Sequence, residues 1–175
     1  HLSYVDIPAL RYVVDGVFVA KGEIRDWFLA GRMVHNMGNI FINRQNNRDI
    51  PRAGQEIIEK LDKGEGVMIF PEGTSTKGEE ILKFNSSFLE FAAKIDLPVH
   101  YAAITYRTPA NNPPANTVSW WEPGDTLVGH LWRVFQIPEF TAVVTFGEEP
   151  VQSTNRKELA KRLWEKVNER FVPVL

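Results

Sequence analysis

Short apolar runs alternate with stretches of helical periodicity along almost the whole chain, and this alternation restricts the fold more than any other feature. Val17–Ala20, Ile40–Ile42, Val67–Phe70, Val99–Tyr106 and Thr117–Trp121 read as strands, and Phe140, Ala142, Val144 and Phe146 alternate as a further one. Between them lie helix-patterned segments. Ile7–Val14 carries Pro8 in its first turn, where a missing N–H does no harm. Glu23–Val34 repeats Ile24, Trp27, Phe28, Gly31 and Val34 at helical spacing. Pro51 opens a helix with Ile57, Ile58 and Leu61 on one face, and Gly64 stops it. Asn85 or Ser86 caps a helix carrying Phe88, Phe91, Ala92 and Ile95, and Leu127–Phe135 forms a short one. Ser153 or Thr154 caps the last, which turns Leu159, Leu163 and Val167 inward. Strands that alternate with helices give an α/β fold, a mostly parallel or mixed sheet covered by helices, and 175 residues give a single domain.

Composition removes several classes of function. The chain has no cysteine, which excludes a disulfide scaffold, thiolate zinc sites, iron–sulfur clusters and a cysteine nucleophile. The net charge is -2 and the pI about 6.1, against the basic balance of a general nucleic-acid binder, so no nucleic-acid partner is expected. No stretch approaches the roughly 18 consecutive apolar residues of a membrane-spanning helix, and no signal-peptide pattern is present. The chain starts at His1 rather than Met, so an upstream segment of the full protein is expected to be missing here.

Three short patterns can carry chemistry. His1 and Asp6 form H-x4-D at a loop-to-helix junction. A histidine oriented by a carboxylate is the usual general base near neutral pH, the carboxylate fixing the tautomer and stabilising the imidazolium. On that logic Asp6→Asn should present the wrong tautomer to the substrate. An exposed histidine beside a helix-capping aspartate fits the same spacing. Phe70-Pro71-Glu72-Gly73-Thr74 follows a buried strand, where ligands of open α/β sheets gather. Glycine admits close backbone approach, threonine offers a hydroxyl and Glu72 an acceptor for substrate hydroxyls; a plain strand-to-loop turn fits too. Arg44 stands just past the Ile40–Ile42 strand, as a phosphate fork or a surface ion pair. G-x-S-x-G, Walker A, G-x-G-x-x-G and H-E-x-x-H patterns are absent. His35, His100 and His130 have no metal-ligand spacing, so no metal site is expected; His35 and His130 read as helix residues and His100 as a strand residue.

Taken in order, these segments resemble the glycerolipid acyltransferase family, whose type activity is 1-acyl-glycerol-3-phosphate acylation. H-x4-D is the family's first motif. Ala20-Lys21-Gly22-Glu23-Ile24 is similar to its A-K-x-E-L, and Gly38-Asn39-Ile40-Phe41-Ile42-Asn43-Arg44 resembles G-x-I-F-I-D-R with Asn43 in place of Asp. Phe70–Thr74 is the third motif intact, Leu97-Pro98-Val99 stands where the proline-centred fourth belongs, and Phe146–Pro150 and Arg156–Leu159 look like the C-terminal stretch.

The resemblance implies one acyltransferase catalytic domain over residues 1–175. His1 would take the proton of an acceptor hydroxyl, and that oxygen would attack the thioester of acyl-CoA or acyl-carrier protein directly, with Asp6 holding His1. Arg44 and the loop of Glu72, Gly73 and Thr74 would bind the acceptor or its phosphate. No metal or organic cofactor is implied. The partners are a lysolipid, an acyl donor and a membrane surface, and the location is the cytoplasmic face of the inner or cell membrane. Trp120-Trp121 and Leu127, Val128, Leu131, Trp132 and Phe135 could form an interfacial face, or could equally be core.

One departure bears on the acceptor. Phosphatidate-forming members read close to L-P-F-K-K-G after the third motif, whereas this chain reads Leu82-Lys83-Phe84-Asn85-Ser86-Ser87, more similar to lyso-ornithine lipid acyltransferases. The readings set beside acylation of 1-acyl-glycerol-3-phosphate are therefore acylation of another lysolipid, a thioesterase-like hydrolase using the same His1 and Asp6, and a non-catalytic lipid- or acyl-CoA-binding module.

Overall fold

Among the described residues most of the apolar runs become strands and most of the periodic stretches become helices. The computed structural model describes residues 1–22, 38–43, 49–120 and 124–174. Among these, α1 is Asp6–Val13, β1 Gly16–Lys21, β2 Ile40–Ile42, α2 Asp49–Asp62, β3 Gly66–Met68, α3 Glu90–Lys94, β4 Ala102–Arg107, α4 Leu127–Phe135, β5 Thr141–Phe146 and α5 Arg156–Asn168. The fold is α/β, as the alternation implied. The chain forms two compact units, one of Arg11–Phe70 and one of His1–Leu10 with Pro71–Leu175.

In the Arg11–Phe70 unit, β1 is the central strand of a parallel sheet in the order β2-β1-β3, with Val19 beside Ile40 and Val17 beside Val67. Parallel neighbours cannot be joined by a tight turn, and α2 follows β2 and precedes β3 in the chain. Ala53 and Ile57, four residues apart on one face of α2, pack with Val17, Ile40 and Val67.

In the other unit, β4 and β5 pair antiparallel, with Tyr106 opposite Ala142. One cluster joins Tyr106 to Leu2, Ala115, Val118, Ile137 and Val174. A second is built on α5, whose Leu159, Ala160 and Leu163 pack against Leu89, Ala93 and Val151. The H-x4-D segment stands on the first, through Leu2.

Several expectations are corrected. Thr117–Trp121 is not a strand: Ala115–Val118 form a 3-10 turn, and Trp121 lies outside the described residues. Pro114 is fixed in an extended conformation and its carbonyl accepts from Thr117 N–H, so local turn bonds override the β-branched pair Thr117-Val118. The helix expected after Asn85 splits into a 3-10 turn, Ser86–Leu89, and the short α3. Asn85 is the cap there. Asn155, not Ser153 or Thr154, caps α5, accepting from Lys157 and Glu158 N–H. Val99 forms a lone bridge to Val151, and His100 lies before β4 instead of within a strand. The segment Glu23–Val34, with its helical pattern, lies outside the described residues, as do His35 and Arg44.

Candidate active site

The H-x4-D segment folds back on itself before α1 starts. Asp6 N–H donates to the Ser3 carbonyl (3.1 Å), closing a turn. That turn brings the Asp6 carboxylate onto the residues just upstream of it. Oδ2 accepts from Leu2 N–H (2.7 Å) and Ser3 N–H (3.4 Å) and lies 2.7 Å from His1 Nδ1. Oδ1 accepts from the Tyr106 hydroxyl on β4 (2.8 Å). The carboxylate is completely buried, and the His1 side chain is 20% exposed. A buried carboxylate with this many donors holds an imidazole in one orientation. Nδ1 carries the proton toward Asp6, so the lone pair sits on Nε2, the arrangement a general base requires.

Burial sets the direction in which Asp6 is shifted. It pushes the Asp6 carboxyl above the usual carboxylate range, and the Leu2 amide, the Tyr106 hydroxyl and the Ser3 amide act against that rise without cancelling it. Burial, with the Asp6 charge and the hydrogen bond to it, pushes the Tyr106 phenol up, so the phenol stays protonated and donates.

The third motif meets the first through main-chain atoms. Glu72, with a side chain 6% exposed, accepts from the His1 backbone nitrogen through Oε1 and from Leu82 N–H (2.9 Å) through Oε2. Oε2 is thus on a main-chain donor, and Oε1 faces the main chain at the start of the H-x4-D segment. Gly73 has φ +76°, the left-handed region in which a side chain would be strained, and this is why the turn after Glu72 uses glycine. Thr74 is exposed. Thr76 N–H donates to the His1 carbonyl (3.0 Å) and Trp120 N–H to the Leu2 carbonyl (2.9 Å), while Ser75 Oγ donates to the Trp120 carbonyl. Gly78, at φ +88°, passes so close to Leu2 that an added Cβ would lie 2.4 Å from Leu2 Cδ2.

His1, Asp6 and Glu72 are therefore brought together, with Gly73 and Thr74 following directly on Glu72. Asn85, in the segment that departs from K-K-G, spends its Oδ1 on the N–H (3.0 Å) and hydroxyl (2.8 Å) of Ser87.

Sequence reasoning missed three side chains. Tyr106 is a hundred residues from Asp6, and no local pattern marks it. Tyr4, inside H-x4-D, bonds His130 Nδ1 (2.9 Å), and its ring meets Trp120 edge-on at 5.6 Å. His130 is a helix residue, as expected, but it is buried on the inner face of α4, and Nε2 donates to the Ser119 carbonyl (3.0 Å). Nδ1 is then the acceptor for Tyr4. Burial pushes the His130 pKa down, keeping the ring neutral, and pushes the Tyr4 hydroxyl up to about 12.

The chain is similar to known proteins. The family model described as Acyltransferase matches residues 1–105. The chain is 32% identical over 163 residues to a lyso-ornithine lipid O-acyltransferase from Pseudomonas aeruginosa, covering 93% of this chain and 62% of that protein. It is 30% identical over 169 residues to a 1-acyl-sn-glycerol-3-phosphate acyltransferase from Neisseria gonorrhoeae, covering 95% and 65%. The crystal structure of the 1-acyl-sn-glycerophosphate (LPA) acyltransferase PlsC from Thermotoga maritima superposes with a TM-score of 0.62 at 26% identity, over 98% of this chain and 62% of that one. The chain thus spans a little under two thirds of the length of these relatives. With the family model matched from His1 through the third motif and into β4, and with relatives aligned along nearly all of its length, this chain belongs to the Acyltransferase family.

Proposed function

We propose that the protein transfers a fatty acyl group from acyl-CoA or acyl-carrier protein to the free hydroxyl of a lysolipid, 1-acyl-glycerol-3-phosphate in the first instance, in phospholipid synthesis. The observation that carries the proposal is His1 Nδ1 held 2.7 Å from a buried carboxylate. In that setting His1 Nε2 takes the proton from the acceptor hydroxyl as its oxygen bonds to the thioester carbonyl carbon. The C–S bond then breaks, and the departing thiolate takes the proton back from the imidazolium. No metal or organic cofactor enters this scheme. Arg44 is assigned the anionic headgroup on the motif resemblance alone, and the loop of Glu72, Gly73 and Thr74 the neighbouring part of the acceptor, with Thr74 offering the exposed hydroxyl. A binding module has no use for a histidine oriented in this way, which disfavours the non-catalytic reading.

A second acceptor, lyso-ornithine lipid, is supported by a specific feature. Asn85 and Ser86 bring no charge where two lysines would offset a phosphate monoester, and Asn85 is taken up in capping. A relative at 32% identity also bears that activity in its name. A competition assay with labelled palmitoyl-CoA, reading products by lipid mass spectrometry, decides between them. We expect acyl transfer to lysophosphatidate, with lyso-ornithine lipid competing well; free palmitate as the sole product would instead establish a thioesterase.

The substrates place the reaction at a membrane, and we assign it to the cytoplasmic face. Among the described residues no helix is long and apolar enough to cross a bilayer. α4 instead offers an interfacial face. Val128, Trp132 and Phe135 lie four and three residues apart, 77%, 67% and 74% exposed, opposite the buried His130 and Val134. Burying two aromatic rings is worth enough that Trp132→Ala with Phe135→Ala should weaken binding to phospholipid vesicles at least about tenfold. Unchanged sedimentation with vesicles would remove α4 from the membrane contact.

A further inference from the structure

Among the described residues the side-chain donor to Asp6 Oδ1 is the Tyr106 hydroxyl, and it comes from a distant strand. We propose that Tyr106 is a positioning residue for the transfer reaction: its hydroxyl holds the Asp6 carboxylate in the orientation that presents Oδ2 to His1 Nδ1, and it sets how tightly the His1–Asp6 pair binds a proton. This rests on the reading of His1 as the base.

The placement is specific. Tyr106 is 2% exposed and sits in the core cluster with Leu2 and Val118, and its ring meets Phe140 edge-on at 5.9 Å between centroids. The register of β4 on β5 puts it opposite Ala142. A phenylalanine would fill that core equally well, so packing alone does not call for the hydroxyl. A carboxylate has two oxygens, and three donors at Oδ2 would leave its rotation to the upstream turn alone if Oδ1 were not also held.

The groups that face Asp6 are the His1 ring and backbone nitrogen, the Leu2 and Ser3 amides and the Tyr106 phenol. β5 carries no titratable side chain, Glu72 faces the His1 backbone, and Tyr4 faces His130. The sign of the effect follows. Without the Tyr106 hydroxyl, the Asp6 negative charge has one donor fewer. The pair then binds an additional proton more tightly, whether that proton resides on the imidazole or on the carboxyl. The neutral base is lost at a higher pH.

The test compares wild-type full-length protein with Tyr106→Phe and Phe140→Leu. One measurement is the kcat/KM profile against pH with palmitoyl-CoA and 1-oleoyl-glycerol-3-phosphate. The other is an NMR titration of the His1 imidazole in 15N-histidine-labelled protein, which needs no turnover. For Tyr106→Phe we expect both the acid limb and the His1 titration to move up by about one pH unit, a tenfold change in proton affinity. Phe140→Leu loosens the same ring but keeps the hydroxyl, and should leave both where they are. Superimposable His1 titrations for Tyr106→Phe and wild type, or an equal shift in Phe140→Leu, would overturn the proposal. A wild type without acyl transfer would overturn the functional reading, and the His1 titration would still decide the role of Tyr106.

Discussion

Replacing His1 with alanine is expected to lower acyl transfer at least about 100-fold, the lower end for removal of a general base. The protein should nevertheless fold. Asp6 loses one of its partners but keeps the Leu2 and Ser3 amides and the Tyr106 hydroxyl, so no buried carboxylate is stranded. The backbone nitrogen that Glu72 accepts from and the carbonyl that Thr76 N–H donates to belong to residue 1 whatever its side chain. Turnover per folded molecule, checked against an unchanged circular dichroism spectrum and melting curve, is the measurement. Activity within a few-fold of wild type in the folded variant would remove His1 from the chemistry.

The second large effect concerns Asp6, and here the structure changes what is expected. By analogy with catalytic triads, asparagine should turn the histidine to its wrong tautomer. The surroundings of Asp6 act against that. Two main-chain amides point at the Oδ2 position, so the carbonyl oxygen of an asparagine would settle there and still accept from His1 Nδ1. Its NH2 would face the Tyr106 oxygen, which can accept. The tautomer survives and the negative charge does not. A charge-assisted hydrogen bond is worth about 1.5–3 kcal/mol, so Asp6→Asn should lower kcat roughly 10- to 100-fold. The imidazolium loses its counter-charge, so the acid limb should move to lower pH, opposite to the shift expected for Tyr106→Phe. Asp6→Ala is different in kind. It leaves the Leu2 amide and the Tyr106 hydroxyl buried without their acceptor, at about 1–3 kcal/mol each, and should be visibly less stable than Asp6→Asn in chemical denaturation. Equal stability of the two variants would mean that these donors find other partners.

How much of this could be read from the residues alone depends on the distance over which each feature is decided. Elements decided by their own apolar pattern were legible: Ile40–Ile42 is β2 to the residue, and Leu127–Phe135 is α4 to the residue. Where two local preferences compete, the pattern misleads. Thr117 and Val118 carry β-branched side chains that favour a strand, yet Pro114 and two turn hydrogen bonds bend them into a 3-10 turn, and Val118 is buried all the same. Caps differ by a residue or two because several consecutive side chains could serve, and only the backbone geometry at Asn155 selects it. The site divides in the same way. H-x4-D and the Glu72 loop stand out as motifs in the chain. Tyr106 does not, because its meeting with Asp6 depends on strand register and on the packing of Leu2, neither of which leaves a mark near either residue. The motif around Glu72 was legible but its contacts were not, since a carboxylate that grips main-chain nitrogens looks, in one dimension, like one that awaits a hydroxyl.

The grip on the first two residues has a consequence for how such a site can drift over generations. Thr76, Leu82 and Trp120 each contribute a main-chain N–H, to the His1 carbonyl, to Glu72 and to the Leu2 carbonyl. A peptide N–H belongs to nineteen of the genetically encoded amino acids, and proline alone lacks it. The three bonds do not depend on the side chains at these positions, so a substitution there by any residue but proline leaves the donors to the His1 carbonyl, the Leu2 carbonyl and Glu72 in place. The frame around His1 and Asp6 is thereby insulated from most substitutions in the loops that build it.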